Sequence, residues 1–199
     1  MNQEAIITLD IIDSKKMNPS DLDRFSILGK ELSRLSIIEE LEIFDGDGMQ
    51  TKANKALDGL RTMVAQYCYF KFNRIPVRQA LGVGEITLHA ERLLKSAGPA
   101  FEISNNSLNK LKAKDELSSI EFAFKELNPE WILHSSFLSD IMHNWSRAQA
   151  EAIYFSLIGN TQMEIADNLR ISQAAIHQRL KAAKFQLLKL LLNRYEASF

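Results

Sequence analysis

Apolar positions along the chain alternate between two spacings. "AIITLDII" (5–12) is a short apolar run rich in β-branched residues, which predicts a buried strand. "NPSDLDRFSILGKELSRLSIIEEL" sets Leu22, Phe25, Leu28, Leu32 and Leu35 three or four residues apart, which predicts a helix capped by Ser20 or Asp21. "LEIF", the tight turn "DGDG" and "MQTKA" predict a hairpin. Helical spacing returns from Asn54 to Phe72, through Leu57, Leu60, Val64 and Tyr67, until Pro76 breaks it. "VRQALGVGEI" predicts a strand, Ala97 to Leu111 a helix, and "SSIEFAFKEL" (118–127) a further strand.

The order is β-α-β-β-α-β with a helix and a strand added. That order predicts an α+β fold, a ferredoxin-like sandwich with one sheet face covered by two helices. Strand signals stop after Asn128-Pro129. "PEWILHSSFLSDIMHNWS" predicts a connecting helix, and three helices follow to the end. The expected division is therefore 1–128 for the sheet domain and 129–199 for an all-α domain.

The all-α part has strong local punctuation. Ser146 caps a helix to Leu157, and Gly159-Asn160 ends it. Thr161, with Glu164 three residues on, predicts a capping box on a short second helix. "RIS" is the turn, and Ser172 caps a long third helix. Ile165, Ala166, Leu169, Ile171, Ile176 and Leu180 face inward on this pattern.

Composition narrows the classes. The chain is 46% hydrophobic and 25% charged, with a net charge of −1. Its one cysteine, Cys68, excludes an intramolecular disulfide and reads as a small core residue. The start lacks the pattern of a signal peptide, and no run approaches the ~18 apolar residues of a membrane span. The expectation is a cytoplasmic protein with no membrane partner. Charge is unevenly spread, however. Residues 145–199 hold seven basic and four acidic residues, a net of +3, which leaves −4 on the rest. Residues 170–195 hold six basic residues and no acid. A basic segment on an acidic body suggests two tasks.

"TQMEIADNLRISQAAIHQRLKAA" resembles the helix-turn-helix of sigma-factor region 4 and LuxR-type regulators. The resemblance implies that the third helix enters the major groove of double-stranded DNA. Gln173, Ala174, His177, Gln178 and Lys181 would then face the bases. Arg170, Arg179 and Lys184, with the Ser172 cap, would lie near phosphates. The alternative is a three-helix packing module that never touches DNA. The apolar tail "FQLLKLLLNRY" would pack Leu187, Leu188, Leu191 and Leu192 on a second copy or on the sheet domain. A homodimer would suit a palindromic site.

In the sheet part, Asp10 ends the first strand, while Asp45 and Asp47 lie in the hairpin turn beside it. Two carboxylates brought together there call for a divalent cation or a proton, and Mg2+ with a nucleotide phosphate suits oxygen ligands. The alternative is an ordinary polar turn. "ITLDIIDSKK", "FDGDGMQ", "VRQALGVGEI" and "GPAFEISNNS" resemble the bacterial SatD-like family and, in their order, nucleotide cyclases. That resemblance implies Asp10 and Asp47 as metal ligands, and the turn Ile11, Ile12, Asp13, Ser14 as a phosphate cradle. Ile43 stands where the cyclase pattern has a purine-reading lysine. Glu102 and Asn106 stand where it has an asparagine and an arginine that stabilise the transferring phosphate. No catalytic residue is therefore assigned. The sequence reads as a DNA-binding transcription regulator whose cyclase-like domain senses a nucleotide or partner. The alternatives are a Mg2+-dependent nucleotide-processing enzyme and a protein-assembly module.

Overall fold

A computed structural model describes residues 3–114 and 116–199. Among them the chain forms five strands and eight α-helices. Strand β1 is Glu4–Ile11, β2 Ile38–Phe44, β3 Gly48–Ala53, β4 Val77–Gly84 and β5 Ser118–Phe122. The helices of the sheet region are α1 Pro19–Leu32, α2 Gly59–Phe72 and α3 Pro99–Lys114. Then follow α4 Asn128–Asn144, α5 Arg147–Leu157, α6 Gln162–Leu169, α7 Gln173–Ala182 and α8 Phe185–Glu196. No helix among the described residues is long and apolar enough to cross a membrane.

The architecture is mixed α+β, with one sheet in the order β2-β3-β1-β4-β5. All neighbours are antiparallel except β4 and β5, which the α3 crossover joins in parallel. The first helix starts at Pro19 with Asn18 in the cap position, earlier than the expected Ser20 or Asp21. Proline suits that first turn because the missing N–H would be unbonded anyway. Strand β2 starts at Ile38, three residues before "LEIF", so the expected helix is shorter at its end.

Helices cover both sheet faces, not one. Ala5, Ile7, Leu9 and Ile11 join the core that holds α1 and α2. Ile6 faces the other way and packs with Ala100 and Phe101 of α3, while Ala80 packs with Leu108 and Leu111. Strand β4 is buried at every position, as a strand sandwiched between layers must be. Gly82 makes this possible. A Cβ there would collide with the Ala100 carbonyl and come within 2.7 Å of the Ser104 nitrogen. Alternation along β1 shows one face clearly, and the expected helix from Ala97 to Leu111 forms but lies on the face that was expected to be uncovered.

Four helices, not three, follow α4. The expected long third helix breaks at Lys184, which takes a left-handed φ of 60° between α7 and α8. The Ala183 carbonyl accepts from the Trp145 indole Nε1 at 2.9 Å, so a side chain from α4's end holds the break. The core runs without interruption from the sheet into α5 and α8. Tyr69 and Phe72 of α2 pack at a tilt against Tyr154 of α5, with ring centroids 5.0 and 5.5 Å apart. Leu188, Leu192 and Tyr195 of the tail are buried, and the Tyr195 hydroxyl donates to the Ala56 carbonyl at 3.0 Å. Cys68 is fully buried in the same core.

Candidate functional site

Two regions gather the polar residues singled out in the sequence. The first is the carboxyl end of β1. Register places Asp10 opposite Gly48 of β3 and opposite Arg78 of β4. The Ile11 amide donates to the Asp47 carbonyl at 3.0 Å, so Asp10 and the hairpin turn meet at one corner. In that turn Asp45 and Gly46 take left-handed φ angles of 52° and 81°, which Asp and Gly accept most cheaply. Ser14 donates to Asp47 Oδ2 at 2.5 Å. Asp10 Oδ2 lies 3.1 Å from Lys112 Nζ, at the end of α3.

The turn after β1 is partly spent on the fold. The Ile12 amide donates to the Pro76 carbonyl at 2.9 Å, as Ile11 does to Asp47. The Asp13 and Ser14 amides have no acceptor among the described residues. Asp13 is exposed and left-handed, with φ 56°, and its carboxylate bonds Lys16 at 2.8 Å. That contact with the Lys16 ammonium holds the Asp13 carboxyl below its ordinary range. Among the described residues no group of three or more His, Cys, Asp or Glu could hold a metal ion. Asp10 and Asp47 therefore supply at most two carboxylates, one of them already neutralised by Lys112. Both suit a hard cation in kind, and a bound substrate oxygen would have to supply the rest. Glu102 and Asn106 are exposed on α3.

Arg78 was missed by the sequence reading. It is only 8% exposed, its Nε has no hydrogen-bond partner, and it forms no ion pair among the described residues. A buried guanidinium N–H without an acceptor is costly, and an anion reaching it would offset that cost. With Lys112 it sets two cations around Asp10. A charged residue inside the apolar run "VRQALGVG" was the available signal. Above it the sheet face is closed by α3. Thr8 Oγ1 lies 2.9 Å from Ser104 Oγ and donates to Asn105 Oδ1 at 3.1 Å. The segment before α3 is strapped to β2, with Arg92 Nε and the Leu94 amide each donating to Glu42 at 2.8 Å.

The second region is α6, its turn and α7. The Thr161–Glu164 capping box is present in full, and Ser172 caps α7 through the Ala175 amide. Ile165, Ala166, Ile176 and Leu180 are buried, while Leu169 and Ile171 are half-buried against them. Arg170, Ser172, Gln173, Ala174, His177, Gln178, Lys181 and Lys184 are all exposed. Arg170 takes a left-handed φ of 54°, which ends α6. Arg179 differs from expectation. It is half-buried and reaches Glu151 of α5 at 3.4 Å, so it braces the helices instead of facing outward.

No family model matches the chain, and no curated protein matches it. Two similar solved structures are both described as a bacterial light-regulated adenylyl cyclase. The first is 12% identical with a TM-score of 0.46, over 59% of this chain and 74% of that one. The second is 12% identical with a TM-score of 0.44, over 59% of this chain and 42% of that one.

Proposed function

We propose that the chain is a DNA-binding regulator in which α6 and α7 form a helix-turn-helix and the sheet corner binds a nucleotide or related phosphate. The observation that carries this reading is the division of α7. Ile176 and Leu180 are buried, while Gln173, Ala174, His177, Gln178 and Lys181 are exposed together with no acid on the helix. Gln and Lys at such positions suit base edges and phosphates in a major groove. The corner contributes Arg78, whose buried Nε has no acceptor among the described residues. On this reading the sheet half is a ferredoxin-like, cyclase-like sandwich that binds and does not turn over its ligand.

The test is DNA binding by the full chain, measured by fluorescence anisotropy on random and genomic duplexes at low salt. Binding should weaken steeply as salt rises, as counterion release requires. Replacing Gln173, Gln178 and Lys181 by Ala should weaken it strongly. No binding at low salt, or binding indifferent to that triple change, overturns the reading. A homodimer fits the apolar face between α4 and α8, where Phe137, Leu187 and Leu190 are exposed. Sedimentation analysis of wild type and Leu190→Glu tests it, with the variant expected to be monomeric.

A second reading, a Mg2+-dependent nucleotide-processing enzyme, is favoured by the adjacency of Asp10 and Asp47. It stands on those two residues and not on the likeness to the two cyclase structures. Incubation with the four nucleoside triphosphates and Mg2+ or Mn2+ should then give product, abolished by Asp47→Asn.

A further inference from the structure

Behind the corner lies a cavity of about 330 Å³ that shares only Ile12 with the expected sites. Ile12, Ile75, Pro76 and Leu117 contribute apolar walls, and Tyr67 an aromatic one. Lys71, Arg74 and His143 complete the lining. None of these three forms an ion pair with a carboxylate among the described residues. Lys71 is half-buried, and its Nζ donates to the Tyr67 hydroxyl at 3.1 Å and to the Met142 and His143 carbonyls at 3.1 and 2.9 Å. Those partners are neutral and engage its three donors, and no carboxylate among the described residues pairs with the ammonium. Burial pushes the Lys71 pKa down, the mark of a cation short of compensation.

We propose that this cavity binds a small organic anion with an apolar body. Lys71 and Arg74, neither in an ion pair among the described residues, favour negative charge, and apolar walls favour a hydrocarbon or aromatic body over a bare inorganic ion. The volume is at the small end of ligand pockets and suits a group about the size of a fused bicyclic ring. The position gives the ligand a route to α7. Tyr67 faces Trp145 with ring centroids 6.3 Å apart, and Trp145 Nε1 donates to the Ala183 carbonyl just past α7. A ligand that shifts Tyr67 would be felt where α7 ends. That consequence for DNA rests on the regulator reading, whereas the binding site does not.

The experiment uses the 15N-labelled full chain and three probes: 1-naphthylacetate, 1-naphthyl phosphate and the neutral 1-naphthylacetamide. Of the two tryptophans, Trp145 is assigned through Trp131→Phe. At least one of the two anions should bind saturably, moving the amides of residues 71–75 and 77 and the Trp145 indole N–H. Carboxylate alone, phosphate alone or both binding distinguishes the head groups. The amide should bind roughly tenfold more weakly, about the worth of one charge-assisted contact. Lys71→Met should weaken anion binding by a similar factor. Arg74→Gln, an exposed change that leaves the packing intact, should weaken it severalfold. The proposal is overturned if neither anion binds at millimolar concentration, if the amide binds as well as the anions, or if neither substitution matters. It is also overturned if the shifts centre on the α4–α8 face. Failure of DNA binding would remove the regulator reading and leave every one of these outcomes in place.

Discussion

Arg78 shows what a single residue adds to the corner. A buried guanidinium Nε without an acceptor costs the fold free energy, so Arg78 is not expected to stabilise the ligand-free protein. Arg78→Met is expected to melt at or above the wild-type temperature without ligand. Pyrophosphate at millimolar concentration should raise the wild-type melting temperature and leave the variant unmoved. Differential scanning calorimetry checks both halves, and a variant that gains as much from pyrophosphate as wild type would remove Arg78 from the site. Glu42 gives the corresponding pH test. The Arg92 guanidinium bonded to it, helped by the Leu94 amide, holds its carboxyl below the ordinary value of 4.5. A lowered carboxyl pKa adds stability that is present above the unfolded value and is lost as pH falls through the folded one. Glu42→Gln should therefore cost melting temperature at pH 7 and little at pH 3. Asp10 and Asp47 were legible in sequence because strand and turn patterns are local. Lys112 was not, because it reaches Asp10 from a helix about a hundred residues later.

At the scale of elements, the sharpest helix starts were announced by residues three or four apart in the helical part of the chain. Thr161 with Glu164, and Ser172 before Gln173, each announce a helix start, and both caps form as written. The break at Lys184 carried no such signal, and the Trp145 indole that bonds the Ala183 carbonyl there comes from 38 residues earlier. The second sheet face was illegible for the same reason: Gly82 becomes informative only once α3 is known to cross it. The caps also yield a measurement. Thr161→Ala and Ser172→Ala should each lower stability by about 1 kcal/mol in urea denaturation. Ser172→Ala should also weaken DNA binding, because it frays the end of α7 that would meet the bases. Equal loss of affinity from both substitutions would indicate a general effect of stability and not of groove contact.

For the whole molecule the question is whether sheet and helices fold together. Sequence divides the chain at the point where strand signals stop, which is a statement about local pattern. Packing crosses that point at several places. Tyr69 and Phe72 of α2 meet Tyr154 of α5, Phe72 also meets Phe155, and Tyr195 of α8 reaches Ala56. Ile153 is fully buried in this shared core. Removing 129–199 would expose a row of aromatic rings on α2, a surface that drives aggregation in an isolated fragment. Ile153→Ala should cost about 2–5 kcal/mol through lost burial and the cavity left behind. Because the core is shared, that loss should lower the far-ultraviolet signal of the whole chain and the near-ultraviolet signal of its aromatics in one coincident transition. The calorimetric and van't Hoff enthalpies should agree for wild type and variant alike. Two separated transitions, with Ile153→Ala moving only one, would mean that the α2–α5 contact is an interface between independent domains. The path from the Lys71 cavity through Trp145 to Ala183 would then join two bodies free to move apart. A single transition instead makes that path part of one packed unit, in which a displacement of Tyr67 by a ligand would bear on Trp145 and, through its bond to Ala183, on the end of α7.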